Sequence, residues 1–166
     1  MKFIEKFYEI LRDQLAHHEK LLSLSQEKKT ILISGSLADL EKIVKEEHKL
    51  IQDVRYMEKD RHAMVLQLAE SLKISPDDIT ISFLTNVVQD EVVKQRLGKI
   101  KSDLEEVVQE LAKINELNAK LLQQSLDYIQ TTIEAITEDP DQDLTYSKPV
   151  ANSSLKKGKS VFDART

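Results

Sequence analysis

Four histidines are the side chains in this sequence that could bind a metal ion or transfer protons near neutral pH. His17 and His18 are adjacent, so on a helix they point about 100° apart and cannot readily share one metal ion. His48 and His62 have no second His or Cys three or four residues away, the spacing that makes two side chains neighbours on a helix. We therefore expect ordinary histidines, solvated or half-buried, and no metal site.

The segment DPDQD is the second candidate for chemistry, because it spaces three carboxylates like the start of a calcium-binding loop. Asp139, Asp141 and Asp143 would occupy loop positions one, three and five. The sixth position is Leu144 where the loop needs Gly, and the twelfth is Val150 where it needs Glu. The sequence also shows no Gly-rich phosphate loop, no nucleophile elbow and no Cys. We expect a protein that is not an enzyme and needs no cofactor.

Length and composition favour a single all-helical domain. The chain has 166 residues, of which 32% are charged and 5% aromatic, and only three are glycine; this composition is typical of long helices. The formal net charge of −5 gives no indication of binding to nucleic acid or to an anionic membrane. The N-terminus alternates charged and apolar residues, unlike a signal peptide, and no apolar run approaches the roughly 18 residues that span a bilayer. We expect a soluble, cytoplasmic protein.

Apolar residues recur every three or four positions along most of the chain, which predicts amphipathic helices. Ser36 and Asp39 have the spacing of a capping box, and Ser75 followed by Pro76 marks the start of a short helix. The predicted helices cover residues 2–33, 37–73, 77–86 and 88–136. We expect an all-α, elongated antiparallel bundle of three main helices with a short connecting helix. Residues 1–137 would form this domain, and the aperiodic residues 138–166 a disordered, flexible tail.

Three polar residues interrupt the apolar seam of the second helix, namely Glu47, Glu58 and Arg61. Glu58 and Arg61 are three residues apart and can form a salt bridge on the helix surface. Alternatively, they form a polar layer between packed helices that fixes the register at some cost in stability. The sequence leaves both interpretations open.

Residues 113–130 carry polar side chains where the core is expected and apolar ones beside it. The predicted core stripe contains Leu111, Asn115, Asn118, Leu122, Leu126 and Ile129, and the second apolar strip contains Leu117, Leu121 and Tyr128. One neighbouring helix cannot cover both strips. A third helix of the same chain could cover the second strip, or an amphipathic helix of a partner could bind there. Asparagine side chains in such a seam could bond to the partner and stay wet without it.

The same stretch resembles a known family. The pattern N-x-x-N-x-x-L-L-x-x-S-L-x-Y-I begins at Asn115 and ends at Ile129, and it is similar to that of the FlgN-type flagellar export chaperones. The Glu-x-x-Arg of Glu58 and Arg61 and the Phe-Asp-Ala ending at residues 162–164 also resemble this family. The resemblance covers nearly the whole chain.

The resemblance implies a function in flagellar type III protein export. Such chaperones bind the C-terminal helical segments of hook–filament junction (hook-associated) proteins in the cytoplasm, prevent their premature assembly and deliver them to the export gate. The implied client-binding residues are Asn115, Leu117, Asn118, Leu121, Leu122, Ser125, Tyr128 and Ile129. Tyr146, and less strongly Phe162, would dock on the cytoplasmic domain of the export gate protein FlhA. The alternative is a structural coiled-coil scaffold whose second strip forms a homodimer seam.

Overall fold

The computed structural model describes residues 2–137, which form four α-helices and one 3₁₀ turn and contain no strand. The helices are α1 (Lys2–Ser34), α2 (Leu37–Leu72), α3 (Ile81–Val87) and α4 (Glu91–Thr137), and the 3₁₀ turn is Pro76–Asp78. The predicted all-α class with three main helices and a short connecting helix is therefore confirmed.

A two-residue turn reverses the chain between α1 and α2. Gly35 adopts φ +75°, a left-handed conformation that glycine reaches without steric cost, and its N–H donates to the Ile31 carbonyl at 2.9 Å. Ser36 is the N-cap of α2 as predicted. The predicted capping box is wrong, however, because the Ser36 hydroxyl donates to Oδ2 of Asp39 at 2.6 Å and caps no backbone N–H.

The connector between α2 and α4 begins where the sequence indicated, with Ser75 as N-cap and Pro76 as first residue of the 3₁₀ turn. The predicted single helix over residues 77–86 is wrong, because Thr80 interrupts it and caps α3 by accepting the Phe83 N–H at 3.0 Å. Asp90 likewise accepts the Val92 N–H at 2.9 Å. This N-cap explains why α4 begins at Glu91 and not at residue 88.

The hydrophobic core lies at the end of the bundle that the connector covers. Its buried members are Phe7 and Leu11 from α1, Met64, Val65 and Ala69 from α2, Ile79 and Leu84 from the connector, and Leu97 and Ile100 from α4. Burial of one such large apolar side chain contributes about 1.5–3 kcal/mol. The connector thus acts as a short fourth layer that closes the core at this end.

Polar contacts show how the three long helices run. Ser25 of α1 contacts Asn115 and Asn118 of α4, and Ile4 lies near Val93, so α1 and α4 are parallel. Because parallel helices rise equally per residue, the end of α1 at Ser34 is level with about residues 124–127 of α4. In contrast, α2 is antiparallel to α1, since Gln14 bonds Glu58 and Lys28 bonds Glu47.

Residues 2–130 belong to one compact unit, and the described part of a second unit is residues 131–137. In the latter, the Thr137 hydroxyl donates to the Ile133 carbonyl at 2.8 Å. The predicted tail, residues 138–166, lies outside the described residues, and the predicted domain boundary after residue 137 stays a prediction. None of the described helices is both long and apolar enough to cross a bilayer.

Candidate binding groove between three helices

A groove of about 450 Å³ lies between α1, α2 and α4. Along α4 it begins after Val107, at the end of the bundle away from the connector. Its lining residues are Leu21, Ser25, Lys28 and Leu32 from α1, Leu40, Val44, Glu47 and Ile51 from α2, and Leu111, Asn115, Asn118, Ala119 and Leu122 from α4. All of them belong to the first compact unit. A volume of this size is typical of a binding site.

The apolar face of α2 becomes exposed where it enters the groove. Val44, Ile51 and Val65 are separated by multiples of seven residues, so they share one face of the helix. Val65 is 5% exposed beside the connector, whereas Ile51 and Val44 are 40% and 47% exposed in the groove. The same helix face is therefore covered at one end of the bundle and uncovered at the other.

Helix α4 shows the same change on its facing side. The Lys101 ammonium donates to the Ser82 hydroxyl of α3 at 3.0 Å, which marks the face of α4 that the connector covers. Val108, Asn115 and Leu122 follow Lys101 at intervals of seven residues. All three are exposed, Val108 to 46% and Leu122 to 44%. The groove is thus the continuation of the path that α3 occupies.

A band of polar side chains crosses the middle of the groove floor. The hydroxyl of Ser25, which is fully buried, donates to Oδ1 of Asn115 at 3.0 Å. Nδ2 of Asn118 donates to the backbone carbonyl of Ser25 at 2.7 Å. Because Asn118 is only 3% exposed, the expectation that both asparagines stay wet without a partner is wrong for Asn118. Its Oδ1 is buried without a hydrogen-bond partner among the described residues.

An ion pair completes this polar band. Nζ of Lys28 lies 2.6 Å and 2.8 Å from the two carboxylate oxygens of Glu47, and the two side chains are 19% and 12% exposed. Glu47 was identified from the sequence as a polar seam residue, whereas Lys28 and Ser25 were not. The heptad repeat could have indicated both, since Lys28 follows the buried Leu21 by seven residues and Ser25 follows the buried Leu11 by fourteen.

A second polar contact joins α1 and α2 nearer to the connector. The buried Gln14 donates from Nε2 to Oε2 of Glu58 at 3.0 Å, and Arg61 donates from Nε to the same oxygen at 2.9 Å. The Arg61 hydrogen bond holds the pKa of Glu58 below 4.5, with a smaller contribution from Gln14, although partial burial acts in the opposite direction. Glu58 is half-exposed, so this is a polar layer at the edge of the helix interface.

The predicted core stripe of α4 is wrong in its second half. Leu122, Leu126 and Ile129 were expected in the core, and they are 44%, 52% and 53% exposed. Leu121, which was expected on the outer strip, is more buried than Leu122. Two causes explain this exposure: the connector does not reach Leu122, and α1 ends level with about residue 125 of α4, before Ile129 and close to Leu126.

The predicted client-binding residues lie on different faces of α4. Asn115, Asn118 and Leu122 line the groove, and Ile129 follows Leu122 by seven residues on the same face. Leu117, Leu121 and Tyr128 lie on other faces of α4, and the Ser125 hydroxyl bonds back to its own helix at the Leu121 carbonyl, 3.0 Å away. Tyr146 and Phe162, the predicted export-gate residues, lie outside the described residues.

Within residues 2–137, no three His, Asp or Glu side chains converge to hold a metal ion.

Comparisons with known proteins assign a family to this arrangement of helices. The family model described as "FlgN protein" matches residues 1–154. A Bacillus subtilis (strain 168) protein with the name "Uncharacterized protein YvyG" is 28% identical over 149 residues, which cover 89% of each chain. No solved structure matches the chain.

Proposed function

Because this chain belongs to the FlgN family, a family of flagellar export chaperones, we propose that its clients are hook–filament junction proteins. It binds their C-terminal helical segments in the cytoplasm, prevents premature assembly and delivers them to the type III export gate. The family membership supports a chaperone and no enzymatic activity. The groove provides the surface on which a client segment can bind.

The observation that carries this proposal is the change in exposure along one face of the bundle. Where α3 covers that face, Val65 and Leu97 are buried; beyond α3, Ile51, Val44 and Leu122 are 40–47% exposed. In the part that α3 covers, Leu84 of α3 packs in the same core as Val65 and Leu97. An amphipathic client helix would lie in the groove beyond α3 and bury the apolar surface that is exposed there.

Client-binding residues follow from this placement. Asn115 and Leu122 would contact the client from the groove, and Ile129 would extend the contact along α4. Asn118 would hold α4 in position beneath the client, because it bonds to α1. Leu117, Leu121, Ser125 and Tyr128 stay part of the proposed client surface, for client segments that wrap beyond the groove.

Delivery to the export gate is proposed to use the part of the chain that follows the bundle. Tyr146 stands in a polar, aperiodic segment, DLTYSKP, and a tyrosine ring offers large contact area at low entropic cost. It would dock on the cytoplasmic domain of FlhA, with Phe162 as a second anchor. Separation of this site from the groove would let the chaperone hold a client and bind the gate together.

Calorimetric titration of the full chain with purified junction proteins tests the proposal. We expect binding by the native chain and a loss of about thirtyfold for Leu122→Ala, the effect of truncating an interface anchor. Leu66→Ala is the matched control, because Leu66 is 45% exposed on α2 and does not line the groove. Equal affinities of both variants would place the client elsewhere.

A homodimeric scaffold is the competing explanation of the exposed groove, and light scattering distinguishes the two. A chaperone with an open groove is expected to be monomeric at micromolar concentration and to form a heterodimer with its client. A constitutive dimer that Leu122→Ala dissociates would show that a second copy of the chain fills the groove.

A further inference from the structure

The groove floor is divided into three bands along its length. Leu21, Ile51 and Leu111 lie one helical turn to one side of the polar residues, and Leu32, Val44 and Leu122 lie about one turn to the other side. Ser25, Lys28, Glu47, Asn115 and Asn118 form the polar band between them. Any helix that lies in the groove therefore meets apolar, polar and apolar surface in turn.

Asn115 is the member of this band that faces the occupant of the groove. It lies on the exposed line of α4 between Val108 and Leu122, and its Oδ1 already accepts the Ser25 hydroxyl. Its amide nitrogen has no acceptor among the described residues. Asn115 therefore presents a hydrogen-bond donor to the groove, and a helix docked there would remove that donor from water.

The charge of the band limits which partner group fits. Lys28 contacts both carboxylate oxygens of Glu47, so the two charges neutralise each other within the groove floor. A charged client residue at this level would be desolvated without an opposite free charge. A leucine there would leave the Asn115 donor buried and unpaired, which weakens binding about tenfold to a hundredfold.

We propose that the groove selects client helices that carry an uncharged hydrogen-bond acceptor, namely Asn, Gln, Ser or Thr, in the middle of their apolar stripe. This inference rests on the proposed function of the groove. The acceptor bonds Nδ2 of Asn115, and apolar client residues three or four positions before and after it contact the two apolar bands. The polar contact sets the register, as a single buried Asn does in coiled coils.

The test uses the full chain and synthetic C-terminal segments of the junction proteins encoded in the same genome, measured by fluorescence anisotropy. Each polar residue of a segment's apolar stripe is replaced by Leu in turn. One such replacement is expected to weaken binding to the native chain at least tenfold. Asn115→Leu should bind that Leu peptide as well as, or better than, the parent peptide.

The outcomes separate this inference from the proposed function. If the parent segments bind the native chain and every Leu replacement binds equally well or better, the polar register is overturned while the client groove stands. The same conclusion follows if Asn115→Leu keeps the native preference for the parent peptide. If no parent segment binds the native chain, the proposed function fails, and this inference fails with it.

Discussion

Asn118 donates from Nδ2 to the backbone carbonyl of Ser25 at 2.7 Å, and this bond joins the middle of α4 to the C-terminal third of α1. The two helices are parallel, so their apolar side chains alone permit a shift by one turn. A buried side-chain bond to one particular carbonyl disfavours such a shift, because the amide would lose its partner. Asn115 and Leu122 of α4 line the same groove as Val44 and Glu47 of α2.

Asn118→Ala should destabilise the bundle by about 1 kcal/mol. The variant removes the bond to Ser25, but it also removes the Asn118 Oδ1 acceptor, which is buried without a partner among the described residues, so part of the loss is offset. Urea unfolding followed by circular dichroism measures the difference. Gln124→Ala, at an exposed position of the same helix, is the control and should leave the midpoint nearly unchanged. An equal midpoint for Asn118→Ala would show that the bond does not stabilise the bundle.

The Lys28–Glu47 pair should behave as a buried ion pair. Lys28→Met leaves the Glu47 carboxylate without its cation, and we expect a loss of about 2 kcal/mol or more. The double variant Lys28→Met/Glu47→Leu should recover part of that loss, because no unpaired charge remains. Lys45→Met serves as the control, since Lys45 and Glu41 are about 70% exposed and such pairs contribute little. A double variant less stable than the single one would contradict this assignment.

Glu58 should make stability depend on pH in the acid range. Arg61 lowers the pKa of Glu58 in the folded state below 4.5, so the folded chain binds fewer protons there than the unfolded chain. The stabilisation is therefore present above the unfolded pKa and is lost as the pH falls through the folded pKa. Native chain and Glu58→Gln should differ in urea midpoint at pH 7 and converge at acid pH. A difference that is constant across the titration would contradict the role of the charge.

Tyr146→Ala should separate gate binding from client binding. Because the proposed client groove is lined by residues of α1, α2 and α4, none of which the variant changes, it should keep the full affinity for junction proteins. It should lose about tenfold or more in affinity for the FlhA cytoplasmic domain, as for removal of an aromatic anchor, and motility should decrease. Phe162→Ala is expected to have a smaller effect of the same kind. Unchanged gate affinity in Tyr146→Ala would exclude Tyr146 as the docking residue.

The sequence predicted the helices well because their signals are local. Ser75 followed by Pro76 marks the connector, and the three- to four-residue period reveals both long helices that follow α1. Bounds were wrong where a single cap decides them, as with Asp90 before α4. The apolar repeat does not reveal which residue is the N-cap when the residues before it can also adopt a helical conformation.

The groove was harder to predict because it depends on which helix lies opposite. Periodicity places Leu122 and Leu97 on related faces of α4, but only the fold shows that the connector covers Leu97 and leaves Leu122 44% exposed. The asparagines were identified from their unusual position in the stripe. Both bond to Ser25 of α1, and only the fold shows that Asn118 is buried while Asn115 is exposed.

Site-specific crosslinking tests the client groove most directly, because the native chain has no Cys and a single introduced thiol can be labelled. Val44→Cys in the groove and Leu66→Cys outside it are 47% and 45% exposed at the native residues, on the same helix. Each variant is labelled with a short photo-crosslinker and mixed with a junction protein. We expect crosslinks from position 44 to the client's C-terminal helical segment, and few from position 66. Crosslinks from position 66 alone, or equally from both, would contradict this expectation.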